Sequence, residues 1–242
     1  MRLILFIVRM LELTFRHIPL IYIFLGLALV LPKIPVIGPF FNIINTLIHE
    51  LGHLLIALLL GGKPKKIELF KDKSGTMVAA MPSKFSSFMV SISGYLFSSL
   101  FAYFSFYMIS VGYERGFLIT LTIISLFAMI LWIRNRYGII WVLGFVLLNG
   151  FLIYWNQIYW IRVAALLYAT FIGVEAFVSA WIVFYLSIFQ SKNAGDATLL
   201  AKTTHLPAFL WGLLFALFST LITYLILVHF FNIPPFIPFL HI

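Results

Sequence analysis

The sequence predicts an all-α polytopic membrane protein with about seven transmembrane helices and a short cytoplasmic β-hairpin between the second and third spans. Of its 242 residues, 63% are hydrophobic and only 10% are charged, and the mean hydropathy is +1.11. A soluble domain is nearer half apolar and a quarter charged. The apolar residues also fall into runs close to the ~20 residues that a helix needs to cross a bilayer. The chain contains no cysteine, which excludes a disulfide framework and a cysteine metal site.

The N-terminal residues 1–17 carry a few charges at wide spacing among apolar residues, which is typical of an interfacial amphipathic helix. This stretch has no small-residue cleavage site and leads directly into the first span, so we expect it to be retained. The first span is predicted at residues 17–31. Prolines and glycines between residues 32 and 39 then form a tight turn.

Six further apolar runs follow within a single domain that has no internal repeat. The second span, residues 40–60, ends at Gly61 and Gly62. In the polar segment 63–84, two extended runs, residues 67–70 and 76–80, flank an Asp-Lys-Ser-Gly turn, and this pattern predicts the hairpin. A polar loop is predicted at residues 190–206. The remaining spans are predicted at residues 88–111, 116–133, 138–155, 160–189 and 207–230.

The lysines and arginines indicate the orientation. With the N-terminus in the cytoplasm, 13 of the 16 fall in cytoplasmic segments. Cytoplasmic loops of membrane proteins are enriched in these residues, so we predict a multi-pass plasma-membrane protein with a cytoplasmic N-terminus and an external C-terminus. This distribution explains the net charge of +9 better than a nucleic-acid partner does. The three basic residues left outside are Lys33, Arg115 and Arg162.

The second span contains the motif His49-Glu50-Leu51-Gly52-His53. Positions i and i+4 of a helix lie on one face, so the two imidazoles can share a metal ion while Glu50 reaches a water on it. The motif would arise by chance roughly a few times in a thousand such chains. Ionisable groups inside a spanning helix are costly and are retained mainly for function. The motif therefore predicts a zinc peptidase site. The orientation places this site in the cytoplasmic half of the membrane, because His53 lies eight residues, about 12 Å, before the cytoplasmic end of the span at Gly61.

A hydrolytic zinc site needs a third protein ligand and an open position for water. Three candidates can be named from the residues: Asp196 beside the flexible Gly195, then His205, then Glu175, which is buried in the sixth span. We expect Asn45, one turn before His49, to serve as a supporting donor or as a helix–helix contact. Gly94 is expected to permit close helix packing. For Glu175 we favour a structural pair with a polar group such as Asn149 or Tyr168.

The chain resembles the site-2 protease family of intramembrane zinc metallopeptidases, in particular its small, single-domain bacterial branch. The resemblance covers roughly residues 40 to 220 and rests on the order of several short motifs. It implies one Zn²⁺ per chain, His49 and His53 as ligands, Glu50 as the catalytic base, Asp196 as the third ligand, and a bacterial cell membrane. The motifs are His49–His53 with Gly61-Gly62, Asp72–Gly75, Ser93-Gly94-Tyr95, Trp132–Asn135, Gly195-Asp196-Ala197, Thr204–Pro207 and Trp211.

The expected function is therefore a zinc-dependent endopeptidase that cuts membrane-embedded or membrane-adjacent segments of a membrane-protein substrate. Two alternatives remain at this point. One is a proteolytically inactive scaffold or chaperone of the same fold, and the other is a proton-coupled transporter that uses Glu175. The oligomeric state, the substrate and the trigger cannot be predicted from the sequence.

Overall fold

The structure is a computed structural model that describes residues 37–231 together with Gly26, Val30 and Ile34. Residues 37–231 form seven α-helices, one short 3-10 helix and one two-stranded antiparallel sheet. The helices are α1 (Ile37–Leu59), α2 (Lys84–Ser110), α3 (Glu114–Leu131), α4 (Arg136–Trp155), α5 (Ile158–Phe189), α6 (Asp196–Thr204) and α7 (Ala208–Phe231). The strands are β1 (Lys63–Leu69) and β2 (Gly75–Ala80), and the 3-10 helix is Ser191–Asn193.

All of these helices except α6 are long and apolar enough to cross a membrane, which gives six candidate spans in the described part of the chain. They match the second to seventh predicted spans to within four residues at each end, so the all-α polytopic fold is confirmed. The predicted interfacial helix at 1–17 lies outside the described residues, as does nearly all of the predicted first span.

Helix α1 lies at the centre of the bundle. Its apolar span is 61% buried within the protein, whereas the other five spans are 28–33% buried. It packs against α2 and α5, and α2 and α5 both pack against α7. A helix enclosed in this way can carry polar side chains that lipid would not tolerate.

The predicted hairpin is confirmed, and it lies alongside α1 rather than beyond the end of that helix. Its strands pair with Ile67 opposite Met77 and Leu69 opposite Gly75, with an irregularity between Pro64 and Lys66. The hairpin folds back along α1, because the hydroxyl of Thr46 donates to the Lys73 carbonyl at 2.9 Å. Thr46 lies thirteen residues before the end of α1, a distance of about 20 Å along the helix. The apolar side chains of β1 explain this position, since Ile67 and Leu69 are fully buried.

The turn between α3 and α4 covers the outer edge of β1. The Ile67 N–H donates to the Trp132 carbonyl at 2.8 Å, and the Arg134 N–H donates to the Ile67 carbonyl at 3.1 Å. The side chain of Asn135 then pairs with both backbone groups of Leu69, accepting from its N–H at 3.1 Å and donating to its carbonyl at 2.5 Å. The α3–α4 turn therefore lies beside the hairpin, well short of the end of α1.

The prediction of a loop at residues 190–206 is wrong for most of that segment, which contains the 3-10 helix and α6. Ala197 and Leu200 are fully buried and lie three residues apart, on one face of α6. Gly195 precedes the helix with φ +52°, a conformation that other residues rarely adopt. The polar composition of the segment concealed this short apolar face.

We predict that Asn135→Ala destabilises the protein by roughly 2–4 kcal/mol, because it leaves both buried backbone groups of Leu69 without partners. The midpoint of thermal unfolding in detergent should then fall by roughly 5–15 °C. Asn135 makes no side-chain cap bond to α4, so no helix cap is lost. Gln157→Ala is the control, because Gln157 is an exposed polar residue that also caps a helix without a side-chain bond. Equal midpoints for the two variants would contradict the role assigned to Asn135.

Candidate metal centre

Helix α1 presents His49 and His53 on one face, one turn apart. Their Nε2 atoms lie 3.0 Å from each other, and the two rings meet edge to face with centroids 4.6 Å apart. His53 is 6% exposed, and the His49 side chain is 15% exposed. The helical spacing alone therefore brings two nitrogen donors to one point.

Asp196, the first residue of α6, supplies a third donor at the same point. Its Oδ2 lies 3.2 Å from Nε2 of His49 and 3.2 Å from Nε2 of His53. Donors about 2.0–2.1 Å from a tetrahedral zinc ion lie roughly 3.3 Å apart. The three atoms thus form a triangle of nearly the right size, and these residues could hold one metal ion.

The ring of His53 is oriented by the backbone of α2. Its Nδ1 lies 2.7 Å from the Val90 carbonyl, which can only accept, so Nδ1 carries the proton and Nε2 is left with its lone pair. Ser93 supports this arrangement by donating to the same carbonyl at 2.7 Å. A histidine that binds a metal commonly has such a partner on its other nitrogen.

Two glycines allow α1 and α2 to approach closely at the site. A Cβ added to Gly94 would lie 2.5 Å from Cε1 of His49 and 2.6 Å from Cε1 of His53. A Cβ added to Gly52 would lie 2.6 Å from Cβ of Phe97. Gly94 therefore packs directly against the two histidines of α1.

The position of Asp196 depends on the turn that precedes α6. The Ala194 N–H donates to the hydroxyl of Thr198 at 3.0 Å, and that hydroxyl donates to the Ser191 carbonyl at 2.6 Å. Burial alone would raise the pKa of the Asp196 carboxyl, but His53 and His49 outweigh burial and hold that pKa well below its usual range. A carboxylate in its ionised form is the form that binds a metal.

Glu50 lies beside the two histidines and faces the hairpin. It is 4% exposed, and a Cβ added to Gly75 would lie 2.7 Å from its Oε1. The backbone N–H of Met77 also faces the carboxylate. A cavity of about 570 Å³ lies next to this group and is lined by α1, the hairpin, α5 and the segment from Lys192 to Lys202. Water has room beside Glu50.

The other residues singled out from the sequence lie at different distances from this centre. Asn45 is buried and lines the cavity, and its Oδ1 has no partner among the described residues. His205 lies exposed at the far end of α6, outside the metal-binding group of the described residues. Glu175 is also outside that group and pairs with Lys73 at 3.8 Å rather than with Asn149 or Tyr168. Of the three candidate third ligands, the fold brings only Asp196 to the histidines.

Sequence reasoning overlooked Tyr95 and Lys73. The ring of Tyr95 meets His49 edge to face with centroids 4.5 Å apart, and both Tyr95 and Lys73 line the cavity. Tyr95 could have been noticed because it follows Gly94 directly. No local signal links Lys73 to the site, because its neighbours there come from distant parts of the chain.

A polytopic membrane protein with a buried His-His-Asp group suited to a metal is the class that this fold and site define. Comparison with known families is consistent with that class, since residues 20–226 match the sequence profile described as Peptidase M50B-like. The chain belongs to this family of membrane metallopeptidases. Neither the comparison with curated proteins nor that with solved structures finds a match.

We predict that Gly94→Ala lowers metal affinity on the order of 10–100-fold, because the new methyl group displaces both imidazoles. Metal content after dialysis against graded chelator concentrations measures the effect. Gly173→Ala is the matched control, since a Cβ there would meet only ordinary contacts, the nearest at 3.5 Å. Unchanged metal affinity in Gly94→Ala would show that the histidines tolerate a methyl group at this contact.

Proposed function

We propose that the protein is a zinc-dependent intramembrane endopeptidase that hydrolyses peptide bonds in membrane-embedded or membrane-adjacent segments. The observation that carries this proposal is the meeting of Asp196 with His49 and His53 beside Glu50. A structural polar cluster would need only mutual hydrogen bonds. It would not need a second carboxylate and an accessible cavity beside the three donor atoms.

In this proposal His49, His53 and Asp196 would hold one Zn²⁺ per chain. Bound zinc supplies a Lewis acid that polarises a carbonyl and acidifies water. Glu50 accepts the proton of the attacking water and passes it to the leaving amine. Asn45 lines the same cavity, and its amide can hydrogen-bond the substrate backbone.

We also propose that the substrate is a membrane protein whose segment binds in extended form along β2. Both backbone groups of Ile67 point away from β2, toward Trp132 and Arg134. Met77 lies opposite Ile67, so its own N–H and carbonyl point away from β1 as well. The N–H faces the Glu50 carboxylate, which leaves the carbonyl for an added strand. In the described part of the chain no further strand pairs with that edge. An added strand would therefore run beside Glu50, in the cavity that Met77 lines.

The transporter alternative lacks a supporting observation. A carrier would use Glu175 as a proton-binding group open to exchange, whereas its carboxylate is paired with Lys73. The location in a bacterial plasma membrane with a cytoplasmic N-terminus remains part of our proposal. It rests on the lysine and arginine distribution and on the family resemblance.

We predict that Glu50→Gln lowers hydrolysis by roughly 10²–10⁴-fold while zinc content stays at the wild-type level, because the variant loses the base and keeps all three ligands. The measurement uses purified protein in liposomes with a set of quenched fluorescent peptides, each containing about 20 apolar residues. His49→Ala, His53→Ala and Asp196→Ala should lose both zinc and activity. Wild-type protein without stoichiometric zinc, or with activity that survives Glu50→Gln, would refute the peptidase proposal.

Blocking the free edge of β2 should weaken substrate binding. We predict that Ala79→Pro raises KM for the cleaved peptide several-fold, because Ala79 lies two residues from Met77 and its N–H shares the outward side. Ala79→Thr is the control, since it alters the same side chain and keeps the N–H. Equal KM values for the two variants would argue against strand addition at this edge.

A further inference from the structure

Glu175 forms an ion pair that links the hairpin to α5. Its Oε1 lies 3.8 Å from Nζ of Lys73, and its side chain is 13% exposed. Glu175 is fourteen residues from the end of α5, a distance of about 21 Å along the helix. A carboxylate placed so deep in an apolar span is costly, and such groups are retained with a partner and usually for function.

Lys73 adopts a backbone conformation that disfavours lysine. Its φ is +73°, in the left-handed region where glycine or asparagine is the less strained choice. Glycine or asparagine would adopt the backbone conformation of this turn with less strain. The side chain of Lys73, which lines the cavity on its way to Glu175, therefore gives a reason for the strain.

The same turn determines where β2 lies relative to the catalytic groups. The Lys73 carbonyl accepts from the hydroxyl of Thr46 at 2.9 Å, so the turn is held to α1 on one side. Two residues later, a Cβ on Gly75 would lie 2.7 Å from Oε1 of Glu50. Any sliding or lifting of the turn would move β2 along Glu50.

We propose that Glu175 is a positioning residue that, through Lys73, holds the turn of the hairpin and thereby aligns the free edge of β2 with Glu50. Thr46 fixes the turn to α1, and Glu175 fixes it to α5 through Lys73. The two attachments together set the width of the cavity in which the extended substrate lies. This inference rests on the proposed peptidase function for its kinetic consequence, but its structural content can be tested without activity.

The absence of cysteine makes the two walls of the cavity easy to label. Ser74 lies on the hairpin and Ser179 lies on α5, and both line the cavity. Spin labels at Ser74→Cys and Ser179→Cys in liposome-reconstituted full-length protein should give a narrow distance distribution by pulsed electron paramagnetic resonance. Glu175→Gln and Lys73→Met should each broaden it and lengthen its mean. The exchanged pair, Lys73→Glu with Glu175→Lys, should restore the narrow distribution.

Two other ion pairs provide controls. Glu114 is buried beside Arg162 at 2.8 Å, where the α3 and α5 N-termini meet, so Glu114→Gln breaks a pair without touching the hairpin. Glu68 pairs with Lys66 at 2.8 Å within β1, so Glu68→Gln breaks a pair on the hairpin that does not cross the cavity. Neither control should alter the distance distribution.

The variants that broaden the distance distribution should also lose catalytic efficiency. Glu175→Gln and Lys73→Met should lower kcat/KM by roughly tenfold or more, chiefly through KM, with zinc content unchanged, and the exchanged pair should recover most of the loss. The positioning role would be overturned if the spin-label distance distribution did not change in Glu175→Gln. It would also be overturned if the distribution stayed broad in the exchanged pair. A rise in activity on breaking the pair would also overturn it, because it would make the pair a barrier to substrate. If wild-type protein hydrolyses nothing, the peptidase proposal fails while the distance measurement still decides the role of Glu175.

Discussion

The convergence of two imidazoles and one carboxylate is the interaction on which the rest of the structure depends. His49 and His53 come from the centre of an apolar helix, and Asp196 comes from a short helix more than 140 residues later in the chain. Each group alone would be expensive to bury, and together they satisfy one another within 3.2 Å. The sharp turn at Gly195, the hydrogen bonds of Thr198 and the apolar face of α6 all serve to bring one carboxylate to α1.

The site also requires backbone to approach α1 more closely than side chains would permit. Gly94 of α2 lies against the histidines, Gly75 of the hairpin lies against Glu50, and Gly52 of α1 lies against Phe97. Each would meet a neighbouring atom at under 3.0 Å if it carried a Cβ. Backbone groups can therefore face these side chains directly, as the Val90 carbonyl does at His53. Close packing of this kind also keeps lipid away from polar groups that must remain accessible to water.

The sequence predicted those features that leave a local signal. Apolar runs located six of the spans, and the turn at Asp72–Gly75 located the hairpin. The spacing of His49 and His53 identified the metal motif, and the charge distribution favoured Asp196 over Glu175. The sequence could not predict that the hairpin folds back along α1, because that depends on the Thr46 contact and on the hydrogen bonds of Ile67 to the α3–α4 turn. Nor could it pair Lys73 with Glu175, since two charges that meet through folding leave no periodic pattern.

In the proposed function, a strand edge beside Glu50 would solve a physical difficulty of proteolysis within a membrane. A peptide bond inside a helix is shielded, and an unwound segment in an apolar medium leaves backbone groups unpaired at a cost of several kcal/mol each. In the proposed function, the outward carbonyl of Met77 would offer such a segment a hydrogen bond beside Glu50. Because the opposite edge of β1 is already occupied by Trp132, Arg134 and Asn135, the hairpin can accept a strand on one side only. Unwinding and alignment would then occur together, so the segment that is extended is also the segment that meets the catalytic residues.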